Sequence, residues 1–414
     1  MNISILIPSR NGLEFLQWSY NSIRKNQGNH DVEILILDDY SDKDNTKEWL
    51  QDQLLSDPNL KVFFNEGPDR HGISGGYKFL VNHATRDVIC HWHNDMYMTE
   101  GTLDVVERSL HTLVVASVDG SGDYFEPCLN RVVCLTRIEP PIYNPGPEKI
   151  IWKDGPIELE DWNEDKFSEY LPIAAKEWGN KTTEGHFAPF FMFREEYMKL
   201  GGNDIETFPL QSREDSDWAF RLVLAGFRTI QIPRFTYHFA SRGNRRSKYE
   251  TDSFNDNPAW TAHNIKASRN FIRKWQTFNL HDEYLKPNKP VRYNIGFVLK
   301  NGSSNLLYNL EPWCDQIEID LHSDILDRYI EFEQLDTKFN LKDKINNTQK
   351  IPDIVVQIDG NILMKEDWNN IRNLSDIITN SCDGPGDYEL GNLKLNVREL
   401  KHYENELIVC KNEY

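Results

Sequence analysis

Short apolar runs alternate with amphipathic stretches through the first hundred residues. Ile3–Ile7 (ISILI) reads as a buried strand stopped by Pro8, and Leu13, Leu16, Tyr20 and Ile23 follow at helical spacing. Val32–Leu37 (VEILIL) predicts a second strand, Trp49, Leu50 and Leu54 a second helix, and Lys61–Phe64 (KVFF) a third strand. A loop carrying Gly72, Gly75 and Gly76 leads into a helix with Ile73, Tyr77, Leu80 and Ala84 on one face, and Asp87–Trp92 completes the unit as a strand. This alternation predicts an α/β fold with a mostly parallel sheet flanked by crossover helices. Each strand deposits polar groups at one edge: Pro8–Asn11, Asp38–Asp39, Asn65–Gly67 and His93–Asp95. In open α/β sheets the carboxyl edge is where ligands sit.

The richest of these strand ends is Asp87–Met98, DVICHWHNDMYM, where an apolar run gives way to His91, His93, Asn94 and Asp95. Alternation along a strand sends His93 and Asp95 to one side and Trp92 and Asn94 to the other. Two ligands spaced in this way can grip one cation; the plain alternative is a polar strand end that meets water.

Further along, Leu103, Val106, Leu110 and Leu113 form one helical stripe, and the pattern loosens from Ser117 to Lys181 into what reads as an irregular binding-loop region. Periodicity returns at Phe187–Phe193. Glu214 and Asp215 then open a helix with Trp218, Arg221, Leu222 and Ala225 inward and Gly226 at its close. Ile230–Pro233 leads to Tyr237 and His238, followed by the basic cluster Arg242, Arg245, Arg246 and Lys248 and a helix bearing Ile265, Ser268, Ile272 and Trp275. KPNKP near Lys286 marks a linker. Beyond it, strand patterns at Tyr293–Leu299, Gln316–Leu321, Asp353–Ile358 and Leu407–Cys410 predict a smaller α/β domain over 286–414, a candidate oligomerisation or docking module.

Composition narrows the function. The chain has 414 residues and a net charge of −19, which argues against broad nucleic-acid binding and against docking on an anionic membrane. The six cysteines are scattered with no CxxC pair, as in a reduced cytoplasmic protein. No run of about 20 apolar residues occurs, so the expectation is a soluble, cytoplasmic chain, peripheral to a membrane only where a lipid-linked partner demands it. GxGxxG is missing after the first strand, as is GxxxxGK[ST], which disfavours a nicotinamide enzyme or a P-loop hydrolase.

Taken together, ISILIPSRN, ILILDDYSD, NEG…GISGG, HND, REDSDWAFRLVLAGFR and TYH resemble the family 2 nucleotide-sugar glycosyltransferases of GT-A fold, over roughly residues 1–245. The resemblance implies a GT-A domain over 1–285, with a nucleotide-sugar half to about 115 and an acceptor half over 116–285. It implies that Pro8, Arg10 and Asp39 hold the nucleotide of a UDP-, GDP- or dTDP-linked sugar, with Gly67, Gly75 and Asn94 on the same donor side. His93-Asn94-Asp95 stands where the family carries its DxD-type motif, with His93 in place of the first Asp. Asp95 and His238 would then ligate a divalent cation, Mn²⁺ ahead of Mg²⁺ because imidazole is a poor Mg²⁺ ligand. His93 would either join them or orient the phosphate or sugar. Asp215, with Glu214, falls at the family's acidic pair and is the implied general base towards a carbohydrate or glycoconjugate hydroxyl. Arg242, Arg245, Arg246 and Lys248 read either as a mobile lid closing on the diphosphate or as a solvated surface patch. Trp152, Trp162 and Trp178 either stack against the acceptor or fill a core.

Two other classes compete. A catalytically silent carbohydrate- or nucleotide-binding protein would explain the HND departure, although a binding module has no need of a base. A sugar-phosphate nucleotidylyltransferase would need a basic glycine-rich loop after the first strand, which PSRNGLEF does not supply.

Overall fold

The protein was analysed as a computed structural model that describes residues 1–114, 124–142, 144–179, 181–239, 258–347, 349 and 351–411. The expected opening unit is present: β1 (Asn2–Ser9), α1 (Leu13–Asn26), β2 (Asp31–Asp39), α2 (Thr46–Ser56), β3 (Leu60–Asn65), α3 (Gly72–His83) and β4 (Val88–His91). β5 (Met96–Met98), α4 (Thr102–Leu110), β6 (His111–Val114), β7 (Tyr124–Pro127), β8 (Arg131–Glu139), β9 (Lys149–Ile151) and α5 (Glu164–Trp178) follow. β10 (Phe190–Phe193), α6 (Arg194–Lys199), α7 (Glu214–Leu224), β11 (Arg228–His238) and α8 (Pro258–Trp275) complete this part.

The main sheet runs β3-β2-β1-β4-β10-β8-β11-β5, with β9 alongside β8. β1 and β2 are buried at every position past their first residue, which requires cover on both faces and explains why their sequences are continuous Ile/Leu/Val runs. The β3-β2-β1-β4 half is parallel; β10 is antiparallel to β4 and to β8, and β5 is antiparallel to β11. Ser117–Lys181 is therefore less irregular than its composition suggests. It contributes the central strand β8 and the helix α5, because Val132–Leu135 and Ile138 fill the core between β10 and β11.

The second sheet is formed by β12 (Ile295–Lys300), β13 (Gln316–Ile319), β14 (Ile354–Asp359), β15 (Gly386–Leu390) and β16 (Leu393–Val397), in the order β13-β12-β14-β16-β15. The helices α9 (Ser304–Leu310), α10 (Ser323–Gln334), α11 (Leu341–Lys344), α12 (Lys365–Arg372) and α13 (Leu374–Ser381) accompany it. Leu407–Cys410 is not the expected strand: Glu404–Leu407 is a 3-10 turn, and Cys410 N–H donates to the Leu200 carbonyl against the first sheet's helices. The β15–β16 hairpin, too polar in its alternation to stand out in the sequence, supplies the missing strands.

α8 ties the two sheets together. Phe271 and Trp275 pack with Phe208 and Phe220, while Ile272 joins the second core. Beside them Lys274 Nζ lies 2.7 Å from Asp204 and 2.6 Å from Asp217, and Arg221 Nε lies 3.0 Å from Asp217. Asp204, Asp217 and Cys410 are close enough to hold a metal, but these buried carboxylates already have ammonium and guanidinium partners.

Candidate active site

Strand register brings the site together. β1 and β2 run in step to Ser9 opposite Asp38, and β2 and β3 to Asp39 opposite Asn65, so three of the predicted strand ends share one edge. β11 pairs with β5 so that His238 lies opposite Met96, next to Asp95, and with β8 so that Tyr237 lies opposite Ile138, next to Glu139. A histidine thus comes to lie between two carboxylates that are far from it in the chain.

The result is a cleft of about 350 Å³. Pro8, Arg10, Asp39, His93, Asn94, Asp95, Glu214, Asp215 and His238 all line it. Gly67 and Gly75 do not. Gly67 packs beneath Tyr40, whose ring an added Cβ would meet at 2.5 Å, and the glycine at the cleft wall is Gly72. With φ +65, Gly72 lies where a Cβ would strike the Leu210 backbone at 2.1 Å, so only glycine lets the two chains approach. Arg242 and Arg245, with Arg246 and Lys248, lie outside the described residues.

One ligand atom from each of His93, Asp95 and His238 falls within 4.8 Å of the others. β4 ends at His91, so His93 and Asp95 come from a tight turn and not from alternation along a strand, yet they converge as the spacing suggested. His238 Nε2 lies 3.5 Å from Asp95, and its Nδ1 lies 3.1 Å from Glu139, which is itself held by Lys149 at 2.8 Å and Arg137 at 3.5 Å. Burial opposes charge on His238, but Asp95 and Glu139 outweigh it and lift its pKa to about 9. Burial and the adjacent His238 charge drop His93 to about 4. His238 thus supplies the positive charge beside Asp95, while Lys149 and Arg137 share Glu139 with it. Two imidazoles and a carboxylate, one imidazole anchored through its far nitrogen by a second carboxylate, make a donor set that fits a divalent transition-metal ion.

Asp39 is in the cleft but already well engaged. Its carboxylate accepts from Asn65 Nδ2 at 2.8 Å and from the backbone N–H groups of His71 and Gly72 at 2.9 Å each. It therefore secures the start of α3, and a carboxylate with about four acceptor positions has little capacity left for a ligand. Its neighbour Asp38 caps the following turn, accepting from the backbone N–H of Ser41 at 3.2 Å. Asn94 donates to Ser9 Oγ at 2.9 Å, and Arg10 donates to the Tyr40 carbonyl at 3.2 Å.

Asp215 and Glu214 begin α7 directly after Ser212 and Arg213, both at positive φ (79° and 69°). Such residues cost on the order of 1–3 kcal/mol each. The loop is held from both sides: the Leu210 carbonyl accepts from Ile73 N–H at 2.6 Å, and Arg213 Nε donates to Ser268 Oγ of α8 at 3.1 Å. Asp215 Oδ1 accepts from the Ser216 backbone N–H at 2.7 Å. Burial, reinforced by the Asp215 charge, pushes Glu214 up to about 8, and its buried Oε2 has no hydrogen-bond partner. Burial thus favours the protonated form of Glu214 at neutral pH. Asp217, next in line, is fully buried against Arg221 and Lys274 and faces away from the cleft's chemistry.

Several contributors escaped the sequence reading: Arg70, Gly72, Tyr77, Arg137, Glu139 and His186. Tyr77 stacks on His91 at 3.9 Å and donates to the Trp92 carbonyl at 3.0 Å, which stiffens the strand end before His93. Glu139 closes an apolar stretch, RVVCLTRIE, whose strand pattern was the available signal. Trp152, Trp162 and Trp178 belong to an aromatic core with Phe167, Tyr237 and Phe239, and none of them lines the cleft.

An open α/β sheet with its cleft at the carboxyl edge, extended by antiparallel strands that carry a late histidine back to the acidic turn, is a GT-A-like arrangement. Residues 4–158 match the family model for glycosyl transferase family 2.

Similar solved structures include GalNAc-T7 with UDP, GalNAc and Mn²⁺ (15% identity, 57% of this chain and 44% of that one, TM-score 0.42). Another is the mannosyltransferase PcManGT from Pyrobaculum calidifontis with GDP-Man and Mn²⁺ (17%, 66% and 64%, TM-score 0.40). TarS 1-349 from S. aureus with UDP-GlcNAc is a third (16%, 58% and 61%, TM-score 0.36). The present chain thus spans about half to two thirds of the length of these proteins. No curated protein matches it. Among the described residues, no helix is long and apolar enough to cross a membrane.

Proposed function

We propose that the protein is a metal-dependent, inverting glycosyltransferase that moves a sugar from a nucleotide diphosphate to a hydroxyl of a carbohydrate or glycoconjugate. The observation that carries this reading is convergence: Asp95, Asp215 and His238 line one cleft with the Pro8–Arg10 strand end and Asp39, although they are spread over more than half of the sequence. The nucleotide would lie against Pro8, Arg10 and the Asp39 edge, with Asn94 at the phosphate side. His93, Asp95 and His238 would hold Mn²⁺, or Mg²⁺ less well. Bound there, the ion would neutralise the diphosphate leaving group.

In this mechanism Asp215 takes the acceptor hydroxyl proton as the oxygen attacks the anomeric carbon. The bond from that carbon to the diphosphate oxygen breaks with its electron pair, and the single displacement inverts the configuration. Glu214, kept protonated by burial, adds no second negative charge beside the base. Glu139 holds the His238 ring so that Nε2 faces Asp95.

A panel of UDP-, GDP- and dTDP-sugars, screened by thermal shift with and without Mn²⁺ and then by nucleoside diphosphate release, tests the proposal. The expected result is an Mn²⁺-dependent stabilisation by one donor, followed by turnover, since a ligand that binds the native state raises stability by linkage. Binding without turnover across a wide acceptor panel would favour the silent binding-protein alternative, and no binding by any donor would refute both.

A further inference from the structure

Next to the main cleft lies a second cavity of about 170 Å³, and the two share a wall made of Arg137, His186, Phe187 and Asp215. Among the described residues Asp215 is the one carboxylate lining both: Glu214 faces only the larger space and Glu148 only the smaller. Resting on the transferase reading above, we infer that this smaller cavity is the acceptor subsite, and that its ligand is a neutral, hydroxyl-rich sugar unit.

The far wall is supplied by the segment over residues 279–287, which leads towards the second sheet and carries Asn279, His281, Leu285 and Pro287 into the lining. This wall is built, not incidental. Asp282 Oδ1 accepts from the backbone N–H groups of Tyr284 and Lys286 at 2.8 and 2.9 Å, and Asn288 N–H donates to the Leu280 carbonyl at 2.9 Å, closing the segment on itself. It is also pinned to the opposite loop, where Glu184 N–H donates to the Tyr284 carbonyl at 3.0 Å and Lys286 pairs with Glu184 at 2.7 Å. Asn279 Nδ2 donates to Ser216 Oγ at 2.9 Å, immediately after the base. The side-chain carbonyl of Asn279 thus stays available as an acceptor near Asp215.

The lining chemistry selects the ligand class. Arg137 is its guanidinium, and Glu148 at 3.2 Å and Glu139 at 3.5 Å already neutralise it. A phosphate or carboxylate entering here would meet Glu148 and Asp215 without a surplus positive charge to balance it. Carboxylates and an amide carbonyl instead suit the many O–H donors of a sugar. A hydroxyl held between Glu148 and Asn279 would be presented to Asp215, on the side of the base away from His93, Asp95 and His238, which line only the larger cleft. Attack from that side on a sugar held in the larger cleft is what a single displacement requires.

The test uses the full chain with Mn²⁺, the nucleotide sugar that stabilises it, and a panel of methyl glycosides as acceptor probes. Asn279→Ala and Glu148→Gln should raise the methyl glycoside KM by about tenfold or more. Donor affinity by calorimetry should stay within about twofold. Asn279→Trp, which fills the cavity without deleting its polar lining elsewhere, should abolish transfer to the glycoside at unchanged donor affinity. Thermal unfolding of each variant controls for folding. Unchanged glycoside KM in all three variants, alongside a transferring wild type, overturns the subsite while leaving the transferase reading intact. A wild type that turns over donor at a rate no methyl glycoside alters overturns the assignment of a neutral sugar. A wild type that binds no nucleotide sugar overturns the parent reading and this one with it.

Discussion

Replacing Glu139 by Gln separates a positioning role from a structural one. Glu139 Oε1 lies 3.1 Å from His238 Nδ1, and its Oε2 lies 2.8 Å from Lys149 Nζ. Gln has the same shape but only one acceptor oxygen. Pointed at His238, it turns its NH₂ towards the Lys149 ammonium; flipped, it turns NH₂ towards the imidazole. One contact is lost either way, together with the charge that fixes the His238 tautomer. Loss of such a carboxylate behind a metal-binding histidine costs about 10–100-fold in metal affinity, or ~1.4–2.7 kcal/mol. Titration of Mn²⁺ into the full chain by calorimetry, with UDP or GDP present, should show that drop. Stability should fall too, because Arg137 and Lys149 lose a buried partner. Glu148→Gln is the control: Glu148 pairs with Arg137 at 3.2 Å and reaches Lys149 at 3.9 Å, while the carboxylate at His238 Nδ1 is that of Glu139. It should lower stability while Mn²⁺ affinity holds. If Glu139→Gln binds Mn²⁺ within about twofold of wild type, the positioning argument fails and Glu139 is only part of an ion network.

Three further outcomes are expected. Asp215→Asn should reduce transfer by about 10²–10⁴-fold with donor affinity preserved, as for loss of a general base; transfer kinetics and donor calorimetry on the same sample decide it. Glu214 keeps its proton in the fold up to about 8, whereas its ordinary value is 4.5, so the folded state loses stability relative to the unfolded one as pH rises across that window. Glu214→Gln mimics the protonated form and should flatten this decline, with urea midpoints diverging in favour of the variant from about pH 5 to about pH 8; parallel pH profiles would contradict the assignment. At the opposite end of the sheet, burial disfavours the Glu33 charge, but Lys61 at 2.9 Å, Ser4 at 2.6 Å and Thr85 hold its carboxyl down to about 2. That stability is fully present above about 4.5 and is lost as pH falls towards about 2, amounting to at most ~3 kcal/mol and less where solvent reaches Lys61. Glu33→Gln should therefore weaken the protein at neutral pH and narrow its difference from wild type near pH 3, as read by denaturant unfolding.

Local pattern carried much of this protein. The Ile/Leu/Val runs of β1 and β2, the amphipathic periods of α1 and α3, and the polar residues where each strand stops are consequences of burial on two faces or on one. They determine a parallel sheet and the edge at which Asp39, His93 and Asp95 lie. The opening of α7 was equally legible, since Glu214 and Asp215 precede an apolar face at helical spacing.

Only the tertiary structure decided what those groups face. Glu139 and His238 are separated by 99 residues and meet because β8 and β11 pair in one register, a long-range choice that no local periodicity encodes. The same holds for Gly72 against Leu210, for the engagement of Asp39 by the start of α3, and for the tryptophans of the 152–178 region, which are core and not cleft. Burial then raised the pKa of Glu214. A carboxylate's intrinsic chemistry is written in its residue type, but whether it keeps its proton depends on the solvent and charges that the fold allows near it.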